Sequence, residues 1–265
     1  MGRRPKLGQH FLRDRAVRAR IAEAAVESGD TALEIGPGQG ALTKHLVRRA
    51  NRVVALEIDP VLAAALRSAC GAPPNLLVVR GDVIEADLAG LVAPAHRSRA
   101  VLVGNLPYYI TSPILRAAFA AKKAFRRATF LMQREVAERA VACGGKRFGL
   151  LSCLCQLHSE PRLLFRVPSR AFSPPPAVES ALVRFELRSG CPPTGLLAFL
   201  RACLAAPRKT LRNNLAGRYP SGLVAMHANA GKRAQQIGLD GLMRMWESLE
   251  KAEPSGPAAV GADRE

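Results

Sequence analysis

Short apolar runs recur along the first part of the chain, each closed by a glycine, an asparagine or an acid. Residues 31–35, 52–57, 76–80 and 100–104 are nearly continuous in apolar character, the pattern of strands buried on both faces. Between them, Leu42, His45, Leu46 and Arg49 recur at helical spacing over 41–50. Pro60 opens a second helix through Leu62, Ala65, Leu66 and Ala69. Strands alternating with helices predict an α/β fold with a doubly wound, mostly parallel, Rossmann-like sheet.

Further along, a helix reaching residue 120 leads to a strand over 128–133 and a helix over 135–141. Residues 150–157 are apolar but too few to declare a period, so strand and helix both fit. A strand over 162–167 precedes Ser173-Pro174-Pro175-Pro176, a stiff polyproline connector. Residues 179–187 alternate, with Ala181, Val183, Phe185 and Leu187 on one face, which predicts an antiparallel strand added at the sheet edge. Ser189-Gly190-Cys191-Pro192-Pro193 marks a boundary. Beyond it, Leu196, Leu197, Leu200, Cys203 and Leu204 recur helically, as do Leu242, Met245, Trp246 and Leu249, with Asp240 as the expected N-cap. The expected organisation is an α/β domain over 1–188, a small helical domain over 189–252 and a disordered tail over 253–265.

Composition narrows the class. The 265 residues are 48% hydrophobic, enough for one large domain and a small one, and no apolar stretch reaches the roughly 18 residues of a membrane span. The N-terminal Met-Gly-Arg-Arg-Pro-Lys leads into polar residues rather than an apolar segment, so no secretory signal is expected and the chain is expected to be cytoplasmic. Six cysteines lack Cys-x-x-Cys spacing and paired histidines, so neither a metal site nor a redox couple is expected. Charge is what asks for a partner: 39 basic against 21 acidic side chains give a net +18, which points to a polyanion. Residues 61–185 carry 17 basic and 7 acidic groups. Within them Arg116, Lys122, Lys123, Arg126, Arg127, Arg134, Arg139, Lys146 and Arg147 read either as a solvated face or as a surface that tracks phosphates.

Candidate chemistry gathers at the strand ends. Glu34-Ile-Gly-Pro-Gly-Gln-Gly40 places glycines at alternate positions where the backbone can approach a ligand. The spacing is not Gly-x-Gly-x-x-Gly, which counts against a dinucleotide and for a nucleoside without pyrophosphate. Glu57 ends the second strand, 21 residues after Gly36, where a carboxylate accepts from ribose hydroxyls. Gly81-Asp82 follows the third strand and suits an adenine amino group. Each acid alone reads equally well as a solvated loop carboxylate. Gly104-Asn-Leu-Pro-Tyr-Tyr109 ends the fourth strand. There the Asn105 amide oxygen and a neighbouring backbone carbonyl can accept both N–H bonds of an exocyclic amine, while the ring of Tyr108 stacks on the base. Accepting those protons returns electron density to a nitrogen whose lone pair is delocalised into the ring. The alternative is an asparagine that forms a turn and a tyrosine that fills space.

These blocks resemble the KsgA/RsmA family of small-subunit rRNA adenine N6-dimethyltransferases. The resemblance covers residues 7 to about 250 and rests on Leu7-Gly-Gln-His-Phe-Leu12, Glu34 to Gly40, Leu56-Glu-Ile-Asp59, Gly81-Asp82, Gly104 to Pro113, Phe172-Ser-Pro-Pro-Pro-x-Val178 and Arg208-Lys-Thr-Leu-Arg-Asn213. It implies an S-adenosyl-L-methionine (SAM) dependent enzyme that dimethylates two adjacent adenosines near the 3′ end of 16S rRNA. The partner would be the small ribosomal subunit or its precursor, with no metal or membrane, and the enzyme would act as a monomer. By position, His10, Leu12, Gly36, Glu57, Asp82 and Asn105 would line the cofactor site. Asn105, the Leu106 carbonyl and Tyr108 would meet the target amine, and Phe172 would reach the base from the side opposite Tyr108. Core burial is the other reading of Phe172. Two positions depart from the family pattern: His10 stands where Asn is common, and Tyr109 with Thr111-Ser112 where Asn and Ser-Thr are frequent. Three other readings stay open. They are an Erm-type enzyme acting on 23S rRNA, an assembly factor that works mainly by binding, and a nicotinamide oxidoreductase with little beyond the glycines in its favour.

Overall fold

The computed structural model describes residues 10–93 and 99–252, so the expected tail over 253–265 and the block at 7–9 lie outside the described residues. The chain forms two compact units. One comprises the chain up to Val141 together with Cys155–Gly190; the other comprises Ala142–Leu154 and the chain from Cys191 on. Residues 142–154, read from sequence as part of the first domain, belong to the second unit.

In chain order the first unit holds β1 (Phe11–Leu12), α1 (Arg15–Ala25), β2 (Thr31–Ile35), α2 (Thr43–Leu46), β3 (Arg52–Glu57) and α3 (Pro60–Ala69). There follow β4 (Leu76–Arg80), α4 (Leu88–Leu91), β5 (Ala100–Asn105), α5 (Thr111–Ala120), β6 (Arg127–Gln133) and α6 (Arg134–Ala140). After α7 (Leu150–His158), within which the chain passes between units, come β7 (Ser159–Val167), β8 (Phe172–Ser173) and β9 (Ser180–Leu187). The seven-stranded sheet runs β4-β3-β2-β5-β6-β9-β7. Strands β2 to β6 pair in parallel, and β9 runs antiparallel to both its neighbours. The chain steps outward from β2 through β3 to β4 and then crosses to β5 on the other side of β2. That reversal opens a crevice at the carboxyl ends of β2 and β5, where ligands bind in such sheets.

Local chemistry accounts for the element ends. Asp14 caps α1 by accepting from the Val17 N–H at 3.0 Å. Asp59 caps α3 by accepting from Val61 and Leu62, with Pro60 in the first turn, as its fixed φ suits. The helix expected over 41–50 is a single α-turn, because contacts such as His45 N–H to Leu42 O and Arg49 N–H to Leu46 O are i→i−3 and tighten the flanks. Residues 150–157 resolve as helix. The alternating strand β9 is antiparallel, as read, yet it is an inner strand: its alternate face is buried too, and the edge is β7. Pro161 in β7, which lacks an N–H for a second neighbour, marks that edge.

The second unit holds the start of α7 with α8 (Leu196–Leu204), α9 (Leu211–Asn214), α10 (Ser221–Met226) and α11 (Ala234–Ala252). Helix α11 is broken at Gly238, whose φ of 64° and a Cβ position 2.5 Å from the Cys143 carbonyl oxygen leave room only for glycine. Asp240, expected as an N-cap, stands two residues past the break, in the first turn of the segment that carries Leu242, Met245 and Leu249. At the start of α11 the Gln236 side chain takes the Arg233 N–H at 2.7 Å.

The basic run at 116–147 does not form one open face. Lys122 is 4% exposed and donates to His158 Nδ1 and the Gly190 carbonyl. Arg126 pairs with Asp30 at 2.8 Å and Glu27 at 3.1 Å, and Arg127 pairs with Glu27 and Glu186. Arg134 pairs with Glu138 and Glu179. Arg126 and Arg127 stand at the amino end of β6, roughly 15–20 Å along the strands from the crevice. Sequence order hid these acids because they lie on other elements.

Candidate active site

The crevice is a cleft with a cavity volume of ≈ 340 Å³, lined by residues that follow β2, β3, β4 and β5 together with His10 to Leu12 of the N-terminal segment. That size is at the lower end of the about 300–1,000 Å³ usual for small-molecule sites. His10, Leu12, Gly36, Glu57, Asp82, Asn105, Leu106 and Tyr108 all line it, so eight of the nine residues singled out from the sequence come together.

Each is placed by a strand end. Gly36 and Gly38 have φ of 64° and 59°, which turns the backbone sharply after β2; Gly36 N–H returns to Leu56 O at 3.0 Å. Glu57 is buried at the end of β3. Its Oε2 accepts from Gly38 N–H at 2.9 Å and its Oε1 from Asp59 N–H at 3.0 Å. The carboxylate is thus held rigidly at the mouth of the glycine turn, with lone pairs still to offer on both oxygens. Asp82 uses one oxygen to accept from Ile84 N–H at 2.9 Å. At the end of β5, Leu106 N–H bonds to Leu131 O at 2.9 Å, which ties the turn to β6. Asn105 Nδ2 donates to the His10 carbonyl at 3.3 Å. This contact uses the amide nitrogen and leaves the amide oxygen as the group to present elsewhere. The Tyr108 hydroxyl meets Ser180 Oγ at 2.8 Å, and burial raises its pKa against the pull of that hydrogen bond. Tyr109, 59% exposed, stands at the rim.

Phe172 is the exception. It is 4% exposed, pairs across β8 with Leu12 of β1, and packs in the core with Val167, Ala171 and Leu182. It does not line the cleft, so the ring expected opposite Tyr108 acts here as core filling beneath the N-terminal strand.

The residue that sequence reasoning passed over is Glu34. It lines the cleft floor at 2% exposure, and its Oε2 has no hydrogen-bond partner among the described residues. Burial pushes its pKa up to about 7, with Thr43 pulling down and the Glu57 carboxylate pushing further up. Its even position in the β2 run, between two core residues, was the available signal. Because 4.5 is the ordinary value, the folded protein holds this proton more tightly than the unfolded chain. The resulting stabilisation is complete below pH 4.5 and is lost as pH rises through about 7. Glu34→Gln should therefore match the parent in urea unfolding at about pH 4 and exceed it at about pH 8.5 by up to about 3 kcal/mol. Equal differences at the two pH values would show that the carboxyl does not titrate this way.

The donor set suits a nucleoside with a cationic, amino-acid-like extension: a buried carboxylate (Glu57) and a half-buried one (Asp82) at two strand ends, an unsatisfied acid in the lining and a glycine turn open to a close backbone approach. Among the described residues no group of three or more His, Cys, Asp or Glu could hold a metal ion, and no helix is long and apolar enough to cross a membrane.

Comparison with known proteins agrees with this geometry. The family model described as ribosomal RNA adenine dimethylase matches residues 2–250. The chain is 42% identical to ribosomal RNA small subunit methyltransferase A of Acidobacterium capsulatum, covering 93% of this chain and 91% of that one. It is 39% identical to the protein of the same name from Geobacillus thermodenitrificans, over 93% and 87%. Among solved structures, a dimethyladenosine transferase from Plasmodium falciparum shares the fold at TM-score 0.77 and 23% identity, covering 91% of this chain and 98% of that one. The 23S rRNA methyltransferase ErmE does so at TM-score 0.72 and 30% identity, over 91% and 99%. With a family model spanning nearly the whole chain and relatives above 30% identity along most of it, this Rossmann-like, SAM-dependent methyltransferase belongs to the ribosomal RNA adenine dimethylase family.

Proposed function

We propose that the protein transfers methyl groups from SAM to N6 of two adjacent adenosines near the 3′ end of 16S rRNA, forming two dimethyladenosines. The observation that carries this reading is the meeting of Glu57, Asp82 and the Asn105-Leu106-Pro107-Tyr108 turn in one cleft at the switch of strand order. SAM, when bound, supplies a methyl group made electrophilic by its sulfonium. Glu57 would accept from the ribose hydroxyls and Asp82 from the cofactor's adenine amine, while Gly36 and Gly38 let the main chain close on the ligand. Asn105 Oδ1 and the Leu106 carbonyl would accept the two protons of the target amine and so orient its lone pair. Stacking on Tyr108 would offset the cost of taking the base out of its RNA stack, at about 1–3 kcal/mol.

The second unit supports the RNA reading. Arg208, Lys209, Arg212, Lys232 and Arg233 are all exposed, and backbone bonds from Leu211 to Lys232 and from Arg212 to Ala230 hold their two loops together. We assign this unit to backbone phosphates of the rRNA. The enzyme acts as a monomer in the cytoplasm, where its substrate assembles.

The deciding experiment supplies labelled SAM to small subunits lacking the modification, to naked 16S rRNA and to large-subunit rRNA, and maps the label. Two adjacent adenosines near the 16S 3′ end should carry it. Label confined to the large-subunit rRNA would replace this reading with an Erm-type activity.

A further inference from the structure

Family resemblance puts His10 with the cofactor. The contacts it makes point elsewhere. Its ring Nδ1 lies 2.8 Å from the Pro174 carbonyl oxygen, its own carbonyl accepts from Asn105 Nδ2 at 3.3 Å, and its ring faces that of Tyr108 at 5.7 Å between centroids and 30° between planes. These three contacts join segments far apart in the sequence, and two end on the groups assigned to the target amine. A carbonyl oxygen only accepts, so Nδ1 carries the proton in the first contact, which anchors residue 10 to the segment after β8.

Resting on the function proposed above, we propose that His10 is a positioning residue for the methyl acceptor: it fixes the Asn105 amide with its oxygen available to the target amine and steadies the Tyr108 ring. The physical need is specific. A carboxamide presents an oxygen or an NH2 group, and only the oxygen accepts protons from an adenine amine. Turned the other way, Asn105 would set a donor against a donor. The His10 carbonyl gives the NH2 group its own acceptor and so selects the productive orientation. That carbonyl is in turn held by two anchors. One is the main-chain pairing of β1 on β8, with Phe11 opposite Ser173 and Leu12 opposite Phe172. The other is the imidazole on Pro174. Phe172, buried under Leu12, then serves the same purpose from below by seating the strand that carries His10.

Three variants of the full-length chain test this. His10→Ala removes the anchor and the ring, His10→Asn keeps a side-chain donor for Pro174, and His10→Phe keeps a ring against Tyr108. SAM affinity is measured by titration calorimetry without RNA, and kcat and KM are measured on unmodified small subunits. His10→Ala should lower kcat by about 10–100-fold, the scale of a misplaced reactive geometry, with SAM affinity within about 3-fold of the parent. His10→Asn should recover most of the loss and His10→Phe less. A parallel loss of SAM affinity, with kcat restored at saturating SAM, would make His10 a cofactor ligand and overturn the proposal. Unchanged kcat in all three would overturn it as well. If the parent binds SAM but methylates no rRNA, the functional reading fails and takes this proposal with it, whereas an active parent with unaffected variants overturns this proposal alone.

Discussion

Asn105→Ala is expected to reduce methyl transfer by about 10²–10³-fold, the usual cost of deleting one positioned polar group at a reacting centre. RNA affinity should be preserved, because the substitution removes no positive charge from the protein. The side chain ends β5, is only partly buried, and donates to the His10 carbonyl. Its removal leaves a small gap beside the turn and strands no charge, so the fold should survive. The loss should appear in kcat at saturating SAM and saturating substrate, measured in single turnovers. Transfer within about 3-fold of the parent would remove Asn105 from the target-amine site. Asn105→Asp is a sharper companion. It keeps the oxygens but loses the NH2 donor to the His10 carbonyl, so it would set two acceptors against each other at 3.3 Å. It should recover little activity.

Arg126→Ala should destabilise the protein by about 3–5 kcal/mol, the range for stranding one partner of a buried ion pair. Asp30, which precedes β2, is fully buried; its Oδ2 takes the Arg126 guanidinium at 2.8 Å and the Glu27 N–H at 2.8 Å, while its Oδ1 has no partner. Without the arginine a carboxylate would remain in the interior with one backbone donor. Urea unfolding at neutral pH checks the number, and a loss below about 1 kcal/mol would show that water reaches the site. Combining Arg126→Ala with Asp30→Asn should restore part of the stability, since the buried charge goes with its partner. SAM affinity should be unaffected, because this network sits at the amino ends of the strands and the cleft at their carboxyl ends.

Legibility followed the kind of signal each element carries. Strands β2, β3, β5 and β6 declared themselves as largely apolar runs because both their faces are covered, and the edge strand β4 did so by its Leu-Leu-Val-Val run. The site was legible for the same reason: in a parallel sheet every strand delivers its last residue to one edge, so Gly36, Glu57, Asp82 and Asn105 had to meet once the order was assumed. What depends on partners distant in the chain was hidden. Arg126 and Arg127 looked like part of a free basic run, since Asp30, Glu27 and Glu186 lie on other elements. Phe172 carries a family motif, but whether a phenylalanine faces a cleft or a core is decided by Leu12 of β1 pairing above it. Residues 142–154 left the first unit without a compositional mark. Glu34 was read only as part of the glycine block, because an acid within an apolar run does not show whether its oxygens find partners. The inner position of β9 had a sign that went unused, the proline in β7.

That position of β9 has a consequence for how the chain is made. Both β6 and β7 pair with the last strand of the sheet, so until residues 180–187 have left the ribosome β6 offers a bare edge and β7 has no neighbour in the sheet. The crevice residues of β2 to β5 are synthesised long before, but the sheet that holds them stays open on one side, in the form most prone to pair with another nascent chain. An enzyme that modifies ribosomal RNA thus waits on a ribosome for a closing strand that comes two thirds of the way along its length.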